Sequence, residues 1–276
     1  MEATNKPVGA TPETGLRLSA SSIEKFCTCP KKYKFHYDDR IPEGEPTAAL
    51  IHGSLVHAAI AILTAKRATS KGAHGPSDRD LIHSAILEAA KQEEITDVDA
   101  MIDAIIPVEK WWNHPIADGV TVLVDGEELL EPLEPGITVI GLPDAIRRNG
   151  TTDTIIDYKT GRTRYTQEDV QNSPQLFTYA WLWRKYLVSH PERRPANGVM
   201  PNIVVRYEQV SRGEIVSFTP TENDYEKIEA FLKYIALRIQ SGERDAKPGF
   251  YCRWCPYLKL CAEGQVQTGT RTSTSY

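Results

Sequence analysis

"TIIDYKTGR", residues 154–162, begins as a strand and then breaks the rule for one. Two isoleucines lead in, and an aspartate and a lysine follow where a buried strand should stay apolar. Side chains alternate across a strand, so Ile155, Asp157 and Lys159 share one face while Ile156 and Tyr158 share the other. Asp157 and Lys159 then stand side by side, with roots roughly 7 Å apart.

A second acid lies just upstream in "GLPDAIRR" (141–148), and "NGTT" (149–152) supplies the turn between the two runs. If Asn149-Gly150 make a two-residue turn, Asp144 falls opposite Ile155. If the turn is the four-residue "NGTT", Asp144 falls opposite Asp157. Either even-length register puts Asp144 on the face of Asp157 and Lys159, and only an odd-length loop would send it across. Taken alone, an Asp–Lys pair is common on a solvated face. Two carboxylates with an ammonium have a sharper use. Hard cations such as Mg²⁺ take oxygen ligands and are held by one or two carboxylates with waters and a substrate phosphate. Such a cation polarises a phosphoryl oxygen, and a neighbouring lysine can orient water or offset developing charge.

Other residues can join this face. Gln175 and Tyr179 in "PQLFTYAW" lie four apart on an expected helix, so they share a side. His57, in "GSLVHAAIAIL", interrupts an otherwise apolar helix. A lone histidine there is ordinarily a core residue, yet neutral imidazole is also a sound ligand beside two carboxylates.

Length and composition frame these local signals. A chain of 276 residues, 41% hydrophobic and 25% charged, has the material for one large core or two smaller ones. Its formal charge of −5 argues against a globally basic nucleic-acid binder and leaves room for local basic patches. "KKYK" (31–34), "GRTR" (161–164) and "HPERR" (190–194) are such runs, and Lys31, Lys32, Arg162 and Arg164 are the candidate DNA contacts. The N-terminus has no apolar leader and no apolar run approaches a membrane span, so a cytoplasmic setting is expected. Five cysteines in that setting point to metal ligands or buried thiols rather than disulfides. Cys252, Cys255 and Cys261 give C-x2-C-x5-C, and Cys29 or Cys27 can supply a fourth thiolate for zinc or an iron–sulfur cluster.

Along the chain, 1–17 reads as a disordered arm and 264–276 as a second loose tail. A capping box at Ser21 and Glu24 opens the first expected helix, and Pro30 ends or restarts it. Residues 49–68 read as a long buried helix, with two more near 78–94 and 97–112. Three β-rich runs follow ("VTVLVDGEELL", "GITVIGLPDAIRR" and "TDTIIDYKT"), then a helix over 173–188, two strands and a helix from Thr221 to about Gln240. The coarse class is α/β (α+β), a mixed sheet flanked by helices.

In series these motifs resemble a known family. "SASSIEKFCTCPKKYKF", "GSLVH", "GLPDAI", "IIDYKTG", "QLFTYA" and "CRWCPYLKLC" stand in the order and rough spacing of RecB-like nucleases of the PD-(D/E)XK superfamily. More narrowly, the chain is similar to the iron–sulfur branch, with AddB-type nuclease domains and small CRISPR-associated and phage exonucleases. The resemblance spans residues 19–261 and implies a restriction-endonuclease-like core.

It implies one nuclease domain over 18–263, with a helical part (18–115), a catalytic core (116–245) and a cluster-binding segment (246–263) joined by Cys29. It also implies metal binding by His57, Asp144, Asp157 and the backbone carbonyl of Tyr158, catalysis by Lys159, and support from Gln175 and Tyr179. A 4Fe–4S cluster would sit on Cys29, Cys252, Cys255 and Cys261, with Cys27 as the alternative to Cys29. A further family acid would come from Glu127 or Glu128. The implied activity is Mg²⁺- or Mn²⁺-dependent exonuclease action on DNA that is single-stranded or has free ends, in recombination, repair or phage DNA metabolism, with a recombination or helicase partner and no membrane. The rival readings are a non-cleaving DNA-binding or adaptation-complex subunit and a zinc-stabilised nuclease.

Overall fold

The computed structural model describes residues 15–69, 78–113 and 121–270. In chain order the elements are β1 (Leu16–Ser19), α1 (Ala20–Thr28), α2 (Pro30–Tyr33), α3 (Ala48–Thr69), α4 (Asp78–Gln92), α5 (Val98–Trp112), β2 (Thr121–Asp125), β3 (Leu129–Glu134) and β4 (Ile137–Gly141). Then come β5 (Ala145–Asn149), β6 (Thr152–Lys159), α6 (Gln167–Gln171), α7 (Pro174–Ser189), β7 (Asn202–Gln209), β8 (Glu214–Phe218), α8 (Glu222–Gln240) and α9 (Ala262–Thr268). They fall into two compact units. One holds residues 46–129 and 142–225, and the other holds 1–45, 130–141 and 226–276.

The first unit is built on a five-stranded sheet in the order β2-β5-β6-β7-β8. β6 and β7 run parallel, connected through α6 and α7, and the other neighbours are antiparallel. The alternation in "TIIDYK" decides what covers each face. Ile156 and Tyr158 join one core with Leu55, Ile60 and Leu63 of α3, Ile86 of α4 and Trp111 of α5. Each fully buried Leu or Ile there contributes about 1.5–3 kcal/mol. α3 is long and apolar enough to cross a membrane by length and composition alone, with a mean hydropathy of 1.8 over Ala48–Lys66. That corrects the expectation that no run approaches a span. Its Leu55, Val56, Ala59, Ile60 and Leu63 lie within the core of this unit.

The second unit carries a three-stranded sheet, β1-β4-β3, with β1 parallel to β4. Three β-rich runs expected between 120 and 160 are therefore five strands, and two of them, β3 and β4, lie outside the five-stranded sheet. "GITVIGLPDAIRR" divides at Leu142-Pro143, because proline cannot donate to a ladder. The expected arm of 1–17 also ends early, since Leu16 and Arg17 lie in β1, where Leu16 and Leu18 are buried. Residues 1–14 lie outside the described part. Gly15 adopts φ +73°, and a Cβ there would stand 2.5 Å from the Gly136 carbonyl oxygen, so only glycine admits this approach of β1 to β4. Order persists through α9, which begins where a loose tail was expected; 271–276 lie outside the described residues. The first helix is capped by Ser19, with Ser22 completing the box, in place of Ser21 and Glu24. The helical stretch expected as one piece, 18–115, is divided between the two units.

One buried ion pair pins the hairpin that carries the charged strand. Asp153, fully buried on β6, accepts from Arg148 Nε at 2.6 Å, Arg148 Nη2 at 2.7 Å and Trp183 Nε1 at 2.8 Å. Removing the carboxylate leaves the part-buried Arg148 guanidinium and the buried Trp183 indole N–H without it. Asp153→Ala is expected to cost about 3–5 kcal/mol, read as a lower urea midpoint. A midpoint unchanged from wild type would show that this triad does not hold the hairpin.

Candidate active site

The β5–β6 hairpin pairs Asn149 with Thr152 and Ala145 with Ile156. This is the longer-turn register of the two, and one residue further it sets Asp144 opposite Asp157. Four polar side chains meet there. Asp144 Oδ1 lies 2.9 Å from His57 Nδ1, and its Oδ2 accepts the Tyr158 backbone N–H at 2.7 Å. Asp157 Oδ2 lies 2.7 Å from Lys159 Nζ. That oxygen is buried, and Lys159 is the group set beside it. Lys159 donates to Gln175 Oε1 at 3.1 Å, and Gln175 Nε2 donates to the Tyr179 hydroxyl at 3.2 Å. Ser173 caps α7 through Leu176 N and so sets the start of the helix that delivers Gln175 and Tyr179.

Two aromatic rings, neither singled out from the sequence, complete the surroundings of the lysine. Lys159 Nζ lies 4.7 Å from the centroid of Tyr207 and 5.6 Å from that of Tyr165. Both distances fall within cation–π range. Tyr207 is the β7 residue paired with Asp157, and its hydroxyl lies 2.6 Å from Ser173 Oγ. Tyr165 is held by its backbone, since buried Gln209 accepts its N–H at 2.8 Å and donates to its carbonyl at 3.0 Å. The parallel pairing of β6 with β7 brings these residues together across more than forty positions, and no local spacing announces that.

Burial, opposed by Lys159, pushes the Asp157 carboxyl up to about 6. Lys159 itself is raised, because Asp157 outweighs the burial that disfavours its charge. His57 follows the same logic, its loss of solvation outweighed by the hydrogen bond and charge of Asp144, so its pKa rises. Burial pushes the Tyr179 hydroxyl up. Near neutral pH the site thus holds ionised Asp157 against an ammonium. Arg162 is exposed on the loop after β6, and Arg164 is ion-paired to Glu214 at 3.0 Å. Glu127 and Glu128 are exposed between β2 and β3.

The cysteines form a separate group in the other unit. Cys29, Cys252, Cys255 and Cys261 all line one cavity of about 170 Å³, shared with Lys31 and Lys32; Cys27 does not line it. Three of the four sulfurs accept backbone N–H groups: Cys29 from Lys247 at 3.3 Å, Cys252 from Gly249 at 3.4 Å and Cys261 from Gly264 at 3.4 Å. Lys31 is tied to Glu263 at 2.7 Å. All five thiols are free. Among the described residues, no three His, Cys, Asp or Glu side chains gather closely enough to hold a single ion.

A family profile now bears on this geometry, because the PD-(D/E)XK nuclease superfamily matches residues 17–262. The chain belongs to that nuclease superfamily. The match takes in both the charged hairpin and the cysteine segment. Two solved structures are similar to this superfamily member at low identity. One, SSO0001, is 14% identical with a TM-score of 0.44, covering 92% of this chain and 88% of its own. The other, from Eubacterium rectale and described as a "Putative exonuclease", is 12% identical with a TM-score of 0.49, covering 94% and 90%. No curated protein matches the chain at a significant level.

The His57–Asp144 contact makes a pH-dependent contribution whose sign follows from the raised histidine. A raised folded-state pKa stabilises fully below the unfolded value near 6.5 and fades as pH rises through the folded value. Wild type should therefore exceed His57→Gln in melting temperature most at acidic pH, with the gap narrowing above pH about 6.5. Melts in EDTA across that range provide the check, and a gap independent of pH would mean that His57 carries no charge-linked contact.

Proposed function

We propose that this chain is a Mg²⁺- or Mn²⁺-dependent DNA exonuclease stabilised by a 4Fe–4S cluster. The observation that carries the reading is the meeting of Asp144, Asp157 and Lys159 at one hairpin, backed by His57. The donor set suits a hard cation: two carboxylates, one with a buried oxygen neutralised only by the Lys159 ammonium. His57, Asp144 and Asp157 do not stand close enough here to share one ion. On binding, they and the Tyr158 carbonyl would close on it, with waters and a substrate phosphate completing its shell. The ion would polarise the phosphoryl oxygen and lower the pKa of water beside it.

The chain's own groups do the rest. Lys159, held by Gln175 and flanked by two aromatic faces, orients the attacking water and offsets charge on the phosphorus as it becomes five-coordinate. Tyr179 steadies Gln175 and thereby the lysine. Asp144, fixed by His57 and the Tyr158 N–H, needs little reorganisation to present its oxygens. Lys32 and Arg162 are the proposed basic contacts to the strand, with Lys31 and Arg164 available once their carboxylate partners yield.

For the cluster, the cavity favours Cys29 over Cys27, whose carbonyl is engaged by Lys247 Nζ. Backbone N–H groups aimed at three sulfurs suit thiolates. The four thiols line one cavity, the arrangement proposed here to hold a multi-atom cluster. The reading includes a cytoplasmic setting, in keeping with five free thiols, and a role in recombination, repair or phage DNA metabolism beside a helicase or recombination partner.

Protein purified without oxygen should be brown and should lose that colour in Cys252→Ala. With Mg²⁺ or Mn²⁺ it should shorten end-labelled DNA, while Asp157→Ala and Lys159→Ala fall by about 100- to 1,000-fold. Equal, intact DNA from wild type and Asp157→Ala would end the nuclease reading, and a colourless protein would end the cluster reading.

A further inference from the structure

The reverse face of β6 carries charges of its own. Alternation puts Tyr158 on the side covered by α3 and α5, where it is buried. Its hydroxyl accepts from Arg147 Nη2 of β5 at 2.7 Å. Glu208 is the β7 residue paired with Tyr158, and its Oε1 lies 3.8 Å from Arg147 Nη1 and 3.4 Å from Arg206 Nη1. The Arg147 guanidinium lies 5.9 Å from the Trp111 ring of α5. Arg147 and Glu208 are only 9% and 8% exposed. Apolar side chains of similar volume often hold such a face together at least as well as a buried ion pair. Packing alone therefore does not account for this one.

Tyr158 joins that face to the charged hairpin. Its backbone N–H donates to Asp144 Oδ2 at 2.7 Å, and its ring stands edge to face with His57, centroids 6.0 Å apart and planes at 81°. Its carbonyl is the main-chain oxygen proposed to close on the ion. Three parts of the site thus depend on where one tyrosine sits, and its ring is tethered at the far end by Arg147.

We propose that Arg147 is a positioning residue: paired with Glu208 in the core, it fixes Tyr158 and through it the placement of Asp144 and His57. The inference rests on the nuclease reading and extends it to a residue on the far side of the sheet from Asp157. A hydroxyl bonded to a buried guanidinium resists rotation of the ring about χ1. Once released, the ring and the main chain behind it can shift. A misplacement of about 1 Å, caused by a change outside the chemistry, can cost on the order of 100-fold.

Two variants test this. Tyr158→Phe keeps the ring against His57 and Trp111 and removes only the hydroxyl. Arg147→Met removes the guanidinium at similar length. Both are studied below the temperature at which circular dichroism shows unfolding. Mn²⁺ titrations without DNA, read from the paramagnetic resonance of free Mn²⁺, should show about tenfold weaker binding in each. With saturating Mn²⁺ and end-labelled DNA, kcat should fall by about 10- to 100-fold while KM stays near that of wild type. The double variant should lose little more than either single, because both break one bond.

A merely structural pair would lower the melting temperature and move neither Mn²⁺ affinity nor kcat. That outcome in folded Tyr158→Phe would overturn the role of Arg147, as would losses that add in the double variant. Because the Mn²⁺ arm needs no cleavage, the two readings fail separately. Protein whose Mn²⁺ affinity depends on Arg147 but which cuts nothing loses the nuclease reading alone. Protein that cuts DNA with kcat unchanged in both variants loses the positioning role alone.

Discussion

A carboxylate on the central strand of a sheet, 5% exposed, is a costly thing to fold, and the surroundings of β6 answer that cost. Asp157 cannot turn away, because β5 and β7 pair with its strand on both sides. The nearest compensation is Lys159, two residues on and on the same face. The lysine is then itself half withdrawn from water and needs its own partners, which α7 supplies through Gln175 and the β7 side through Tyr207. One buried charge thus recruits a helix, a neighbouring strand and the loop that carries Tyr165. The opposite face of the same strand packs Ile156 and Tyr158 into the core with α3 and α5, where the Tyr158 hydroxyl accepts from Arg147.

Much of this was legible from the chain because two rules conflicted within six residues. Ile155 and Ile156 call for a buried strand, and Asp157 and Lys159 forbid one, so the segment had to be a strand with a reason. Alternation alone then assigned the two faces correctly. The turn length could not be chosen from "NGTT", and the observed pairing of Asn149 with Thr152 decided it. The helical pieces fell close to expectation, since their caps and prolines are local signals. Thr221 before α8 and Ser173 before α7 are examples.

What escaped was non-local. "LRLS" is too short to announce a strand, and it becomes one only because β4 offers a parallel edge far along the chain. β3 and β4 look like any β-rich run, and nothing in their composition tells that they pair apart from β5 and β6. Tyr207 beside Lys159 likewise comes from a distant segment, bland when read alone. Short signals reveal which residues carry charge. Topology decides what stands around them.

The four-thiol cavity has a consequence for how the protein is made. Cys29 precedes its three companions by more than two hundred residues. Synthesis proceeds from the N-terminus, so the cavity lacks three of its four thiols until the segment from Cys252 to Cys261 has been made. Whatever fills it must arrive after the intervening sheet and helices have been synthesised.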